Sequence, residues 1–150
     1  MTDVSFYHLT RSTLEQTLPR LLEKALQGGA RCLVMVGNHA RVEPLSAHLW
    51  TYDPASFLPH GTRRDGDAER QPVWLTDEDE NPNEATMLFL TDGAKSNNVG
   101  KYQRCFELFD GRDENALAQA RQRWKDYREA GHTVSYWQQN ESGGWEKKAG

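Results

Sequence analysis

The sequence predicts an α/β fold built on a mainly parallel sheet. Two observations carry this. The first fifty residues alternate strand, helix, strand, helix, the order in which crossover helices join parallel strands. The second predicted strand, Cys32-Leu33-Val34-Met35-Val36, is a continuous apolar run, as expected of a strand buried on both faces. A chain of 150 residues supports one domain, 1–150, with one real core. Residues 139–150 read as a tail or a short hairpin extension of it.

Val4-Ser5-Phe6-Tyr7-His8-Leu9 reads as the first strand. Ser12 and Glu15 have the spacing of a capping box. The helix that follows carries Leu14, Leu18, Leu21, Leu22, Ala25 and Leu26 on one face. Pro19 sits inside that pattern, which predicts a later start or a kink. Gly28-Gly29 ends the helix. A second helix is predicted over 39–49, with Val42, Leu45 and Leu49 on one side. A polar, flexible connection follows over 63–70. Pro72-Val73-Trp74-Leu75 and Thr86-Met87-Leu88-Phe89-Leu90 read as strands three and four, separated by an acidic, solvated loop over 76–84. Residues 92–101 are rich in glycine and asparagine and read as a mobile loop. Cys105-Phe106-Glu107-Leu108-Phe109 is a fifth strand, and 113–130 is the last helix, stopped by Gly131. Thr133 to Gln138 reads as one more strand, with Trp145 returning as a hairpin arm.

No apolar run approaches the roughly 20 residues of a membrane helix, and no signal peptide is read at the start, so a cytoplasmic protein is expected. Cys32 and Cys105 lie in apolar runs and read as small buried hydrophobes of a reducing compartment, with a disulfide as the alternative. A net charge of −4 argues against broad, sequence-independent DNA binding, which needs a positive surface. A local basic patch remains compatible with it.

The segment from Leu49 to Gly61 is the most distinctive stretch. Pro54 and Pro59 prevent it from being a helix or a central strand. It nevertheless carries Trp50, Tyr52, Phe57 and Leu58, more apolar surface than a solvated loop needs. Two readings stand side by side here: a loop that caps its own core, and a surface that binds a partner.

The pattern offers little chemistry. In Gly93 to Tyr102 six residues separate the glycines, and Tyr102 follows the lysine. A phosphate loop needs four residues between them and a Ser or Thr after the lysine to bind magnesium. His8, His39, His48, His60 and His132 show no zinc spacing with a cysteine or a second histidine. His60 reads as a structural hydrogen-bonding residue or a partner contact. The acid pairs Asp77/Glu78 and Asp79/Glu80 read as solvated. No nucleophile elbow and no cysteine signature is present. No catalytic constellation, metal or cofactor is expected.

The last helix is different. Leu117, Ala120, Trp124 and Tyr127 have the spacing of an inward face. Arg121, Lys125 and Arg128 line the adjacent face, with Trp124 on the seam. One reading is a solvated basic face whose arginines pair with Asp126 or Glu129. The other is a binding surface for a peptide that ends in an apolar residue and a free carboxylate. Guanidinium groups grip carboxylates in a fork, and the ring packs the side chain.

Four pieces together resemble the chi subunit of bacterial DNA polymerase III. They are Phe6-Tyr7-His8-Leu9, Arg31-Cys32-Leu33-Val34, the Leu49-Trp50 to Pro59-His60 segment, and Ala120-Arg121-Gln122-Arg123-Trp124-Lys125-Asp126-Tyr127-Arg128-Glu129-Ala130-Gly131. The resemblance runs from about Phe6 to Trp137. It implies a three-layer α/β/α sandwich around a mainly parallel sheet, Rossmann-like in outline but without a phosphate-binding loop. It implies a non-catalytic replication accessory subunit associated with the clamp loader. The acidic C-terminal tail of single-stranded DNA-binding protein would dock on Arg121, Trp124, Lys125 and Arg128, with tryptophan at 124 where the family usually has tyrosine. Trp50, Phe57, Leu58 and Pro59 would meet a psi subunit or an alternative helicase partner. DNA would be met mostly indirectly. The chain would be monomeric alone and heterodimeric in its complex. The rival readings are a small nucleotide-binding α/β enzyme using the 92–101 loop, and a direct single-strand binder stacking bases on Trp50, Tyr52 and Trp124.

Overall fold

The computed structural model describes residues 2–149. Its strands are β1 (Asp3–Leu9), β2 (Cys32–Val36), β3 (Val73–Thr76), β4 (Met87–Thr91), β5 (Arg104–Asp110), β6 (Thr133–Gln139) and β7 (Trp145–Ala149). Its α-helices are α1 (Leu14–Gln27), α2 (Val42–Thr51) and α3 (Glu114–Glu129). One sheet holds all seven strands in the order β3-β2-β4-β5-β1-β6-β7. Every neighbouring pair is parallel except β6–β7, which forms an antiparallel hairpin.

Alternation along the strands divides the core into two layers. Val34 and Val36 pack with Leu18 and Leu22 of α1 and with Leu45 and Leu49 of α2. Leu33 and Met35, pointing the other way, pack with Ala120, Trp124 and Tyr127 of α3. Successive side chains of a strand face opposite sides of a sheet, so the continuous apolar run of β2 needs cover on both. The result is the expected three-layer sandwich. Cys32 and Cys105 are buried free thiols in opposite layers. Among the described residues, no helix is long and apolar enough to cross a membrane.

Several local expectations are corrected. The capping box of α1 is Thr13 with Gln16, not Ser12 with Glu15. Ser12 is taken by Gln139, whose Nε2 donates to the serine hydroxyl at 2.9 Å. Pro19 does lie within α1. It has no N–H to give the carbonyl of Glu15, and His48 supplies the missing donor, its Nε2 standing 2.7 Å from that oxygen. The proline therefore joins α1 to α2. The second helix begins at Val42, after one 3-10 turn over His39–Arg41, and runs on through Trp50 to Thr51.

Neither the acidic segment nor the 92–101 loop is free. Asp79 accepts hydrogen bonds from the Ser96 hydroxyl, the Asn97 amide and the Asn98 side chain, at 2.6, 2.8 and 3.0 Å. Glu80 accepts from the Thr76 hydroxyl at 2.6 Å, and Asn83 is fully buried. The Thr2 hydroxyl meets the carbonyls of Val99 and Tyr102, each at 2.8 Å. The two segments fasten each other to the sheet. Sequence composition marks them as loops but cannot show contacts this far apart in the chain.

Candidate binding surfaces

On α3, Asp113 caps the helix by accepting from the amides of Asn115 and Ala116. Gly131, at φ +88°, lies just past its end, a conformation that glycine adopts without strain. Between them the helix sorts its arginines. Arg123 turns inward, between the inward positions Ala120 and Tyr127. It pairs with Glu107 of β5 at 2.8 Å and donates to the carbonyls of Ala94 and Gly93, each at 2.7 Å. The Tyr127 hydroxyl donates to the other Glu107 oxygen at 2.6 Å. Burial pushes the Glu107 carboxyl up, and Arg123 and Tyr127 pull against it. Sequence reasoning gave this pair no role. Its signal was a lone carboxylate in an apolar strand and an arginine on the inward face of the next helix.

Arg121, Lys125 and Arg128 turn outward. All three are exposed, and none forms an ion pair among the described residues. The nearby Asp126 is instead engaged by Gln122 at 3.0 Å. Trp124 is half-buried beside them, its ring 5.7 Å from Phe6 and 6.0 Å from Tyr136. The structure thus brings three unpartnered cations to the edge of a fixed aromatic floor. Tyr136 of β6 and His8 of β1 extend that floor, with the His8 Nδ1 2.7 Å from the Tyr136 hydroxyl. Sequence reasoning missed both, because only the sheet register sets them beside α3.

The second surface lies on the opposite layer, at the β3 end of the sheet. Trp50 is 45 % exposed and Phe57 75 %. Their rings stand 5.9 Å apart. Leu58 does not belong to the exposed patch. It is buried in the core below α2 and anchors the loop, and Pro59 is half-buried. His60 is buried too, with Nδ1 2.7 Å from the Leu58 carbonyl and Nε2 3.1 Å from the Ser46 hydroxyl. Trp50 packs on the His60 ring at 4.0 Å. The segment therefore caps the core through Leu58 and His60 and turns Trp50 and Phe57 to solvent.

A cleft of about 590 Å³ opens at the C-terminal ends of β1 and β5. It is the place where α1 and α3 leave to opposite layers, and α/β folds commonly bind ligands there. Its arginines are already engaged: Arg41 by Glu15 and Asp92, Arg112 by Asp110, and Arg123 by Glu107. Among the described residues the connection from β4 to β5 holds only the 3-10 turn Val99–Lys101, so the 92–101 loop opens no α-helix that could offer a row of amides to a phosphate. Among the described residues no group of three His, Cys, Asp or Glu is placed to hold a metal ion.

Fold and surfaces together define an α/β protein without a phosphate loop, which carries a basic face on α3 and an exposed aromatic pair on the opposite layer. Comparison with known proteins places it further. The family described as DNA polymerase III chi subunit, HolC, matches residues 1–135. A curated relative, the "Probable DNA polymerase III subunit chi" of Rickettsia prowazekii (strain Madrid E), is 33 % identical over 110 residues, covering 71 % of this chain and 67 % of the relative. The chain belongs to the DNA polymerase III chi subunit family, and its role is that of an accessory subunit in DNA replication.

Proposed function

We propose that the α3 face receives the acidic C-terminal tail of single-stranded DNA-binding protein, and that the chain so links the polymerase's clamp loader to DNA coated by that protein. The observation that carries this reading is the sorting of cations on one helix. Arg123 is ion-paired inside, while Arg121, Lys125 and Arg128 stand outside beside Trp124 with no ion pair among the described residues. On a protein of net charge −4 such a patch attracts an acidic segment. Arg121 forks the terminal carboxylate, Trp124 packs the last side chain, and Lys125 and Arg128 meet the acidic residues before it. Trp50 and Phe57, on the opposite layer, serve a different partner, a psi subunit or a helicase. Contact with DNA is then mostly indirect, and the chain is a monomer alone and one half of a heterodimer in its complex. A nucleotide-binding enzyme is disfavoured because the switch-point cleft keeps its arginines for its own carboxylates.

Titration with a tail peptide tests the reading. Arg121→Ala should cost about 1.5–3 kcal/mol of binding, the range for a charge-assisted hydrogen bond, and leave the fold intact. Amidating the peptide's C-terminus should weaken binding at every salt concentration. Added salt should weaken binding without abolishing it, since screening acts on the charges and not on the Trp124 contact. Equal affinity of wild type and Arg121→Ala, or of the free-acid and amidated peptides, would refute the pocket.

A further inference from the structure

Between Arg121 and the sheet lies a histidine that the tail contact above leaves unused. The imidazole of His8 is wedged between two elements. On one side its Nδ1 stands 2.7 Å from the Tyr136 hydroxyl, with the two rings near perpendicular at 85°. On the other side it lies against Gly111, where a Cβ would come within 1.7 Å of Nε2. Gly111 has no left-handed backbone to explain its identity. The glycine is there because the ring needs the space.

This seating limits what the ring can do. Nε2 faces the Gly111 backbone and Nδ1 faces the Tyr136 oxygen. A neutral ring carrying its hydrogen on Nε2 must accept at Nδ1, and the Tyr136 hydrogen is committed to it. A protonated ring donates at both nitrogens, so the Tyr136 oxygen accepts and its hydrogen can turn outward. The groups that face the ring are Asp110 at the end of β5, Arg121 on α3, Tyr136 on β6 and the Gly111 backbone. Asp110 and the backbone favour the protonated form, and Arg121 opposes it. Burial also opposes it and leaves the free ring below its ordinary pKa. An anion gripped by Arg121 would cancel that residue's opposition.

We propose that His8 is a positioning residue of the tail site, which takes up a proton when the carboxylate binds and thereby frees the Tyr136 hydroxyl hydrogen to meet it. This rests on the reading of α3 as the tail site. The proton comes from solvent and goes to the His8 Nδ1, and no covalent bond to the peptide forms.

The test is calorimetric titration of an acidic peptide ending in phenylalanine with a free carboxylate, between pH 5.5 and 8.5, in buffers of different ionisation enthalpy. The peptide's own carboxylates stay ionised across that range. Wild type should bind about three- to ten-fold tighter at pH 5.5 than at pH 8, the effect of partial uptake of one linked proton, with net proton uptake. His8→Gln should flatten the profile. Tyr136→Phe keeps the ring against Trp124, removes the hydroxyl and should flatten it too, and it stands in if His8→Gln fails to fold. No binding by wild type at any pH would overturn the tail site and this role with it. Binding by wild type with the same pH slope in His8→Gln or Tyr136→Phe would overturn the role of His8 alone.

Discussion

Phe57 and Leu58 are neighbours in one loop, and their truncation should have opposite consequences. Leu58 is 1 % exposed inside the α1–α2 layer, and Phe57 is 75 % exposed. Fully burying a phenylalanine is worth about 1.5–3 kcal/mol. With roughly a quarter of that surface covered, Phe57→Ala should cost about 0.4–0.8 kcal/mol of stability. Leu58→Ala loses its whole transfer free energy and leaves a cavity, for about 2–5 kcal/mol. In a domain of this size about 1 kcal/mol moves the midpoint by roughly 2–4 °C. Phe57→Ala should therefore melt within about 3 °C of wild type and Leu58→Ala several degrees lower. Phe57→Ala should at the same time lose capture of the psi or helicase partner and keep the tail peptide. Thermal melts and paired binding assays read all of this. A Phe57→Ala melt as low as that of Leu58→Ala, with partner capture intact in the folded fraction, would show that the ring supports the fold and is not an interface.

Two further predictions concern the supports of the α3 face. Arg123→Ala leaves Glu107 buried without its cation, and with side-chain exposures of only 15 % and 7 % water screens little of the loss. It should cost about 3–5 kcal/mol in urea unfolding, and pairing it with Glu107→Gln should recover part; a loss under about 1 kcal/mol would contradict the buried pair. Burial alone would raise the Asp79 carboxyl, but hydrogen bonds from Ser96, Asn97 and Asn98 outweigh it and hold it below its ordinary 3.8. A folded value below the unfolded one stabilises above the unfolded pKa, and the gain is lost as pH falls through the folded value. Hydrogen-exchange protection of the Asn97 amide should be level above pH 5 and fall below pH 3.8; protection unchanged down to pH 2 would refute the clamp.

The layers of this fold were legible because they rest on local periodicity. The all-apolar β2 needed two covers, and the inward face of α3 repeats at helical spacing. Arg121, Lys125 and Arg128 were legible for the same reason. Leu58 was not, since a loop between prolines has no period to say which of two adjacent apolar residues turns in. The 92–101 loop looked mobile because its anchors, Asp79, Arg123 and Thr2, come from other parts of the chain. His8 and Tyr136 join the candidate site only through the parallel register of β1 and β6, which pairs Phe6 with Tyr136 and His8 with Gln138. Pro19 predicted a later start or a kink because the donor that replaces its N–H, His48, lies on another helix.

The central claim is that the acidic tail docks on α3 and not on the loop after α2. The most direct measurement is an amide and indole chemical-shift map of the isotope-labelled protein, titrated with the free-acid tail peptide. Shifts should centre on Arg121, Trp124, Lys125 and Arg128, with the Trp124 indole among the largest, spread to His8 and Tyr136 and leave Trp50 and Phe57 still. Shifts centred on Trp50 and Phe57, or no shifts on α3 at saturating peptide, would contradict it.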